Sequence, residues 1–278
     1  MPEKTPSAAE ITQASKSNLA FAFISLGKKQ RRDITVFYAF CRLIDDIADA
    51  NTFSPQEKAI QLSAWRQALQ SPFPSEPGLA PEVRGLFSRY AITPPMLELI
   101  IDGVEMDLTT SRYQTFAELR EYCYRVASAV GLVSIEIFGY QNPACREYAI
   151  ALGLALQVTN ILRDVGRDLE NNRVYLPQED MRRFEYGPED LAARTYNQRF
   201  VRLMQFEAER AHEYFRQATK LLPPEDRRAM ISAEIMGSIY HALLRQIERD
   251  EFHVFDRQYG LSRPSKVLHV ARQILKLV

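Results

Sequence analysis

Residues 157–168, QVTNILRDVGRD, combine an apolar helical pattern with one polar stripe. On a helical wheel, Gln157, Asn160 and Asp168 fall within about 40° of Asp164, whereas the leucine and valine side chains point elsewhere. A solvated helix face usually carries Lys and Glu, but this stripe carries short amide and carboxylate side chains. Their oxygen atoms are the ligands that Mg²⁺ prefers. The stretch therefore predicts a helix that directs a cation-binding stripe into a cavity.

A second acidic stretch, DDIAD at residues 45–49, lies more than a hundred residues earlier. Asp45 and Asp49 are four positions apart, as are Asp164 and Asp168, so each pair lies on one helix face. Such a like-charge pair costs an isolated helix about 0.2–0.5 kcal/mol. A cation between the two pairs would remove this repulsion, and Mg²⁺ is the natural candidate.

The helix around the first acidic stretch allows two interpretations. Tyr38, Arg42 and Asp46 share the stripe of Asp45 and Asp49, and the opposite side is apolar, so the stripe can face a cavity. A solvated charged face, in which Arg42 pairs with Asp45 or Asp46, explains the same pattern equally well.

Composition narrows the class of protein. The chain has 278 residues, of which 46% are hydrophobic and 25% charged, enough for a large buried core. Its 35 basic residues balance 35 acidic ones, so no overall field attracts nucleic acid. Cys41, Cys123 and Cys145 lack metal-site spacing and are expected to be reduced core residues. Residues 1–18 are too polar for a secretion signal, and a cytoplasmic protein is expected.

Helical periodicity runs through nearly the whole chain, and alternating strand patterns are essentially absent. The expected fold class is all-α, in one domain over residues 1–278 with a flexible N-terminus at 1–14. The expected helices lie at 30–50, 55–70, 81–90, 94–109, 115–139, 143–170, 188–220 (continuous or broken), 225–252 and 263–277.

Small residues are unusually frequent in YCYRVASAVG, residues 122–131. They permit close contact with another helix, which is the simpler interpretation, or they leave space for a ligand. On the second interpretation, Tyr122, Val126, Ala129 and Val133 form the stripe that would face an apolar tunnel.

Several basic residues are candidates for binding an anion. Arg173 lies in the loop 171–177 after the second acidic helix, and its planar, multi-donor side chain suits a phosphate. A loop arginine is, however, more often simply solvated. Lys16, Arg263 and Lys266 are weaker candidates for binding a phosphate.

Tyr240 lies mid-helix among apolar residues, where core packing is the default and a cavity wall is the alternative. The four histidines show no ligand spacing and are expected to be structural: His212, His241, His253 and His269.

Together these motifs resemble the squalene/phytoene synthase family. The resemblance rests on YAFCR at 38–42, DDIAD at 45–49, the segments 122–131 and 157–168, RVYLP at 173–177 and SRPSK at 262–266. It covers the chain from about residue 15 to about residue 270. The resemblance implies the isoprenoid synthase (terpenoid synthase) fold, in which antiparallel helices surround a central cavity and the two aspartate motifs face each other across its mouth.

The resemblance also implies roles for individual residues. Asp45, Asp49, Asp164 and Asp168 would be catalytic and, with Asn160, would bind Mg²⁺ or, as an alternative, Mn²⁺. Tyr122 would be catalytic and line the reaction chamber. The residues expected to bind substrate are Lys16, Ser17, Tyr38, Arg42, Val126, Val130, Gln157, Asn160, Arg163, Arg173, Tyr240, Arg263 and Lys266.

The family reaction joins two prenyl diphosphates head to head through a cyclopropyl diphosphate intermediate and releases diphosphate. Farnesyl diphosphate, giving presqualene diphosphate or squalene, is the favoured substrate. The alternatives are geranylgeranyl diphosphate, giving phytoene, and the synthesis of dehydrosqualene. NADPH is implied only if squalene is the product. Peripheral membrane association for product release and contact with downstream isoprenoid enzymes are further expectations.

Two other functions remain as rivals. A class I terpene cyclase or chain-elongating prenyltransferase shares the fold and the paired acidic motifs, but not the context of YAFCR and of residues 157–168. A catalytically silent assembly factor with this fold is expected to lose motif aspartates, and all four are present here.

Overall fold

The computed structural model describes residues 7–14, 22–50 and 52–276, and within these ranges the chain is helical with no β-strand. A single isolated bridge joins Arg112 and Val174 in these ranges. The prediction of an all-α protein is therefore confirmed. The helices are α1 (Ala8–Ala14), α2 (Lys28–Asp49), α3 (Pro55–Gln70), α4 (Ala80–Phe87), α5 (Pro94–Thr109), α6 (Phe116–Cys123), α7 (Ala129–Phe138), α8 (Cys145–Glu170), α9 (Gln178–Arg183), α10 (Pro188–Ala192), α11 (Gln198–Leu221), α12 (Ile231–Arg249) and α13 (Arg263–Leu275).

Of the two alternatives for residues 188–220, the structure has the broken one, since α10 and α11 are separated and Asn197 caps the start of α11 with its side chain. Elsewhere the structure differs from the expected helices. Helix α9 was not expected, and the helix expected at 225–252 begins only at Ile231. The expected helix at 115–139 contains a π-helical turn, Tyr124–Ser128, between α6 and α7. At the N-terminus, where a flexible segment was expected, Ala8–Ala14 form a helix that packs against α2 with Ala8 buried.

Helix α8 is the central element of the core. It packs against α11, α7, α12 and the π-helical turn, and fourteen of its 26 residues are buried. The acidic residues lie on the remaining stripe of this otherwise apolar helix, towards its C-terminal end. Helix α2 presents its own acidic residues at its C-terminal end in the same way, with Phe37, Phe40 and Ile44 fully buried on the opposite side.

Two glycines allow the helices around the π-helical turn to approach closely. A Cβ atom at Gly153 of α8 would lie 2.6 Å from the Ser128 Cα, and one at Gly103 of α5 would lie 2.8 Å from the Arg125 Cβ. Both distances are shorter than real carbon contacts, so only glycine fits. The small residues at 122–131 therefore do serve close packing.

Cys41, Cys123 and Cys145 are free and buried, as expected. In the part of the chain that the structure describes, no helix is both long enough and apolar enough to span a bilayer.

Candidate active site

The C-terminal ends of α2 and α8 meet at a polar cleft of about 290 Å³. The carboxylates of both acidic stretches line it: Asp45, Asp49, Asp164 and Asp168. The two stretches, far apart in the sequence, therefore line one cleft. The three aspartates of the first stretch are also exposed, so each of the two interpretations of its helix describes part of the structure. Asp46 does not line the cleft and instead pairs with Arg42, 2.5 Å between nitrogen and oxygen.

Arginines balance much of the negative charge in the cleft. Arg173, from the loop after α8, donates to Asp49 across the cleft, with a nitrogen to oxygen distance of 3.0 Å. Arg163 forms a two-pronged ion pair with its neighbour Asp164, and its Nε atom lies 2.9 Å from the Oδ1 atom. Arg173 is therefore not merely a solvated loop residue, because it joins the two acidic helices.

Two of the four carboxyl groups have raised pKa values. Burial within the protein, followed by repulsion from Asp164, raises the pKa of Asp168 to about 7. The Asp45 side chain is exposed to the cleft, yet the protein walls around it exclude much of the bulk solvent. This desolvation, opposed by Arg42 and reinforced by Asp49, raises the pKa of Asp45 to about 7. Both groups therefore need a nearby cation to be fully ionised at neutral pH.

A fifth carboxylate, Asp107 of α5, lies in the same cleft and was missed from the sequence. It accepts hydrogen bonds from the Tyr175 hydroxyl at 2.7 Å and from the Tyr122 hydroxyl at 2.9 Å. Burial raises its pKa, and these two hydrogen bonds oppose the shift. The rings of Tyr122 and Tyr175 stack with centroids 5.1 Å apart, so the pair forms a rigid wall under the carboxylate.

The sequence does contain a weak signal for Asp107. The buried residues Leu97, Ile100 and Val104 of α5 follow a spacing that continues to position 107, so a charged residue occupies the apolar stripe. Asp107 escaped notice because it has no acidic partner four positions away. The nearby Glu105 pairs with Arg66 outside the cleft.

The polar cleft opens into an apolar chamber of about 390 Å³. Tyr38, Val130 and Tyr240 line this chamber, so Tyr240 is a cavity wall rather than a core residue. Six residues line both cavities and mark the junction: Arg42, Asp45, Val126, Gln157, Asn160 and Arg163. An elongated ligand with a charged head and an apolar tail matches this arrangement.

The predicted tunnel stripe is partly wrong. Val126 lines the chamber, but Ala129 and Val133 are buried in the core, and Tyr122 faces the polar cleft instead. The π-helical turn at Tyr124–Ser128 explains the error, because a wider turn rotates the following residues relative to an ideal α-helix. The chamber consequently receives Val130 instead of Ala129.

Arg263 and Lys266 do not reach either cavity. They lie in the first turn of α13, and neither lines the cleft or the chamber, so their predicted contact with the diphosphate is not supported by this structure. Lys16 and Ser17 lie outside the described residues.

The chemistry of the residues at the junction fits a divalent cation. The Oδ1 atom of Asn160, a residue that lines both the cleft and the chamber, is buried and has no hydrogen-bond partner among the described residues. In the described residues, no three Asp, Glu, His or Cys side chains converge on a ready-made metal site. Mg²⁺ does not require one, since it usually takes one or two carboxylates and completes its shell with water and substrate phosphate oxygens.

Comparison with known proteins agrees with this geometry. The family model described as squalene/phytoene synthase matches residues 12–265. The chain belongs to this family. Among curated members, a 15-cis-phytoene synthase from Synechocystis sp. is 36% identical over 258 residues, covering 87% of this chain and 75% of that protein. A phytoene synthase from Mycobacterium tuberculosis is 32% identical and covers 91% of this chain and 84% of its own length.

Solved structures of the squalene/phytoene synthase family share the fold. A dehydrosqualene synthase with a bound ligand aligns with a TM-score of 0.85 at 25% identity, covering 97% of this chain and 95% of that one. A squalene synthase from Alicyclobacillus acidocaldarius aligns with a TM-score of 0.76 at 25% identity, covering 88% and 93%. The expected isoprenoid synthase fold is thereby confirmed.

Proposed function

We propose that this protein condenses two molecules of geranylgeranyl diphosphate head to head to form phytoene. The observation that carries the proposal is that a cleft lined by five aspartates opens into an apolar chamber, in a chain of this family. The substrate follows from the curated relatives, because the similar proteins described above are phytoene synthases. They favour this alternative over the farnesyl diphosphate reaction that we preferred from the sequence.

The cleft residues would bind and orient the diphosphate groups. Arg42, Arg163 and Arg173 offer guanidinium donors to phosphate oxygens. Asp45, Asp49, Asp164, Asp168 and Asn160 would hold Mg²⁺, which when bound neutralises the diphosphate and makes it a better leaving group. Because Arg173 already bridges to Asp49, binding of substrate and cation would exchange this ion pair for contacts with phosphate.

The chamber residues would control the reacting carbons. Breaking the C1–O bond of one substrate releases diphosphate and leaves an allylic cation, which the double bond of the second substrate attacks. Loss of one proton closes a cyclopropane ring, and the second diphosphate then leaves. The faces of Tyr38 and Tyr240 can stabilise passing cations by about 0.5–2 kcal/mol each without supplying a strong nucleophile. A final proton loss gives phytoene, so this product needs no hydride donor.

The proposal is tested by incubating the purified protein with Mg²⁺ and either geranylgeranyl or farnesyl diphosphate, with and without NADPH, and identifying the products. Phytoene from geranylgeranyl diphosphate, unchanged by NADPH, is expected. Squalene formed from farnesyl diphosphate in an NADPH-dependent reaction, or consumption of neither substrate, would overturn the proposal.

Replacing aspartates that line the cleft, and one that does not, tests which carboxylates bind the metal ion. Asp49→Ala and Asp164→Ala should each lower kcat by about two orders of magnitude or more, because each removes a carboxylate from the charged cleft. Asp46→Ala should retain most activity, since the Asp46 side chain does not line the cleft, although its partner Arg42 does. Circular dichroism should show unchanged helix content in all three. Equal losses from Asp46 and Asp49 would contradict the assignment.

A further inference from the structure

The loop between α8 and α9, residues 171–177, places two side chains in the cleft. Arg173 reaches across to Asp49, and the Tyr175 hydroxyl donates to Asp107. Both side chains line the cleft, although the loop itself has no helical hydrogen bonds to hold it. Their positions therefore depend on the contacts that fix this segment, which we call the cleft loop.

The peptide group that precedes Arg173 is held at both of its polar ends. The Asn172 carbonyl oxygen and the Arg173 N–H belong to one rigid plane. The Arg173 N–H donates to the carbonyl oxygen of Asp168 at 2.9 Å. From the opposite direction, the Nη1 atom of Arg112 donates to the Asn172 carbonyl oxygen at 2.7 Å. The backbone from which the Arg173 side chain extends is therefore fixed at the edge of the cleft.

The Arg112 side chain contacts Asn172 a second time. Its Nη2 atom lies 3.0 Å from the Oδ1 atom of Asn172, so the planar guanidinium holds a backbone and a side-chain oxygen of one residue. Asn172 has a φ of 56°, a left-handed conformation that asparagine adopts more readily than most residues. In the described residues Arg112 has no carboxylate partner, and its side chain donates only to oxygens of Asn172 and Ser111. Its charge is thus directed at the turn that leads into Arg173.

The segment that carries Arg112 also pairs with the cleft loop through its backbone. It follows α5, the helix of Asp107, and so connects two walls of the cleft. The hydrogen bonds run from the N–H groups of Val174, Gln178 and Glu179 to the carbonyl oxygens of Ser111, Tyr113 and Gln114, each at 3.0 Å. Because the Arg112 contact comes from a side chain, a substitution can remove it and leave this backbone pairing in place.

We propose that Arg112 is a positioning residue that fixes Arg173 for binding a diphosphate group. This role rests on the proposed function, in which Arg173 exchanges Asp49 for phosphate oxygens. Arg112 does not line the cleft, so it acts through Asn172 and the backbone of Arg173. A loop that is already ordered does not pay its conformational entropy when the ligand binds, and its guanidinium is already aimed at the phosphate.

Calorimetric titration of the full-length protein with inorganic diphosphate and Mg²⁺ tests this role without turnover. Arg112→Gln should weaken diphosphate binding about tenfold, because Arg173 must then be ordered by the ligand itself. The KM for a prenyl diphosphate should rise by a similar factor, with a smaller change in kcat. Arg112→Lys should give an intermediate affinity, since an ammonium group can donate to the Asn172 carbonyl oxygen but lacks the two-pronged geometry.

A double-mutant cycle separates positioning from a merely structural role. Arg173→Gln should itself weaken diphosphate binding. Adding Arg112→Gln to that variant should weaken it by less than about a further twofold, because the fixed backbone serves a side chain that is no longer present. If Arg112 only stabilised the fold, the two losses would multiply.

The matched control is Arg194→Gln. Arg194 also forms an ion pair at the C-terminal end of α8, with Glu170 at 2.9 Å, but neither residue lies in the cleft loop or lines the cleft. This variant should bind diphosphate like the wild type, and circular dichroism should show the same helix content in every variant.

Three results would overturn the proposal: wild-type affinity in Arg112→Gln, multiplicative losses in the double-mutant cycle, and no binding of diphosphate by the wild type. The proposed function can fail separately. A wild-type protein that forms no phytoene, but whose diphosphate affinity falls in Arg112→Gln and not in Arg194→Gln, would refute the condensation reaction and support the role of Arg112.

Discussion

At the scale of single residues, Asp107 has the clearest untested role. Its carboxylate accepts hydrogen bonds from the hydroxyls of Tyr122 and Tyr175, and it lines the cleft together with the four motif aspartates. Its charge also adds to the field that raises the pKa values of Asp45 and Asp168. We interpret Asp107 as the residue that positions Tyr122 and Tyr175 and keeps the cleft strongly attractive to cations.

Replacement of Asp107 by Asn should therefore impair activity without unfolding the protein. An asparagine oxygen can still accept a hydrogen bond, but the negative charge is lost, so kcat should fall about 10–100-fold and more Mg²⁺ should be needed for half-maximal rate. Steady-state kinetics over a Mg²⁺ titration measures both effects. Glu105→Gln, on the same helix but paired with Arg66 outside the cleft, should change neither. An Asp107→Asn enzyme with wild-type kinetics would show that the residue is only structural.

The residues that the sequence analysis and the structure both place at the cleft are mostly those with a repeated local pattern. The aspartate pairs, Gln157 and Asn160 lie on helical stripes, and a stripe can be read from spacing alone. Asp107 and Tyr175 contribute singly, from a helix and a loop whose meeting depends on the tertiary fold. Arg263 and Lys266 show the converse, because a basic segment near the chain end carries no information about which surface it will face.

At the scale of helices, the π-helical turn determines which side chains reach the chamber. It lies between α5 and α8, and the glycines Gly103 and Gly153 give it room on both sides. Helical periodicity located the long helices but not the short helices α1 and α9, since an apolar stripe is a local property that needs several turns to be recognised. It could not locate the extra residue of a π-turn, because this feature depends on packing against neighbouring helices rather than on the spacing within the segment.

Gly153→Ala should destabilise the protein by about 1–3 kcal/mol, the usual cost of adding a carbon to a packed core. The added Cβ would lie 2.6 Å from the Ser128 Cα and 2.8 Å from the Ser128 nitrogen, and backbone atoms cannot move aside cheaply. Urea denaturation of both proteins measures the difference. Gly260→Ala is the control, because a Cβ there meets nothing within 4 Å and should change stability by less than about 0.5 kcal/mol. Equal stability of the two variants would refute close packing at Gly153.

At the scale of the whole molecule, the cleft links stability to pH and to cations. The pKa values of Asp45 and Asp168 are raised to about 7 in the folded chain, so the folded state binds more protons than the unfolded state between their ordinary pKa and about 7. The stability of the metal-free protein should therefore fall as the pH rises through this window. Above this pH window the carboxylates in the cleft are ionised and repel one another, so a bound divalent cation should stabilise the folded protein most there.

Mg²⁺ should consequently raise the melting temperature more at pH 8 than at pH 6. Below about pH 7, each proton that the cation must displace weakens its binding by up to about tenfold per pH unit. Differential scanning fluorimetry with and without Mg²⁺, at both pH values, measures this dependence. Asp168→Ala should make the Mg²⁺-dependent rise in melting temperature at pH 8 much smaller. Asp46→Ala, whose side chain does not line the cleft, should leave this rise unchanged. An equal increment at the two pH values would mean that the cation binds without displacing protons, and the raised pKa values would then not belong to its ligands.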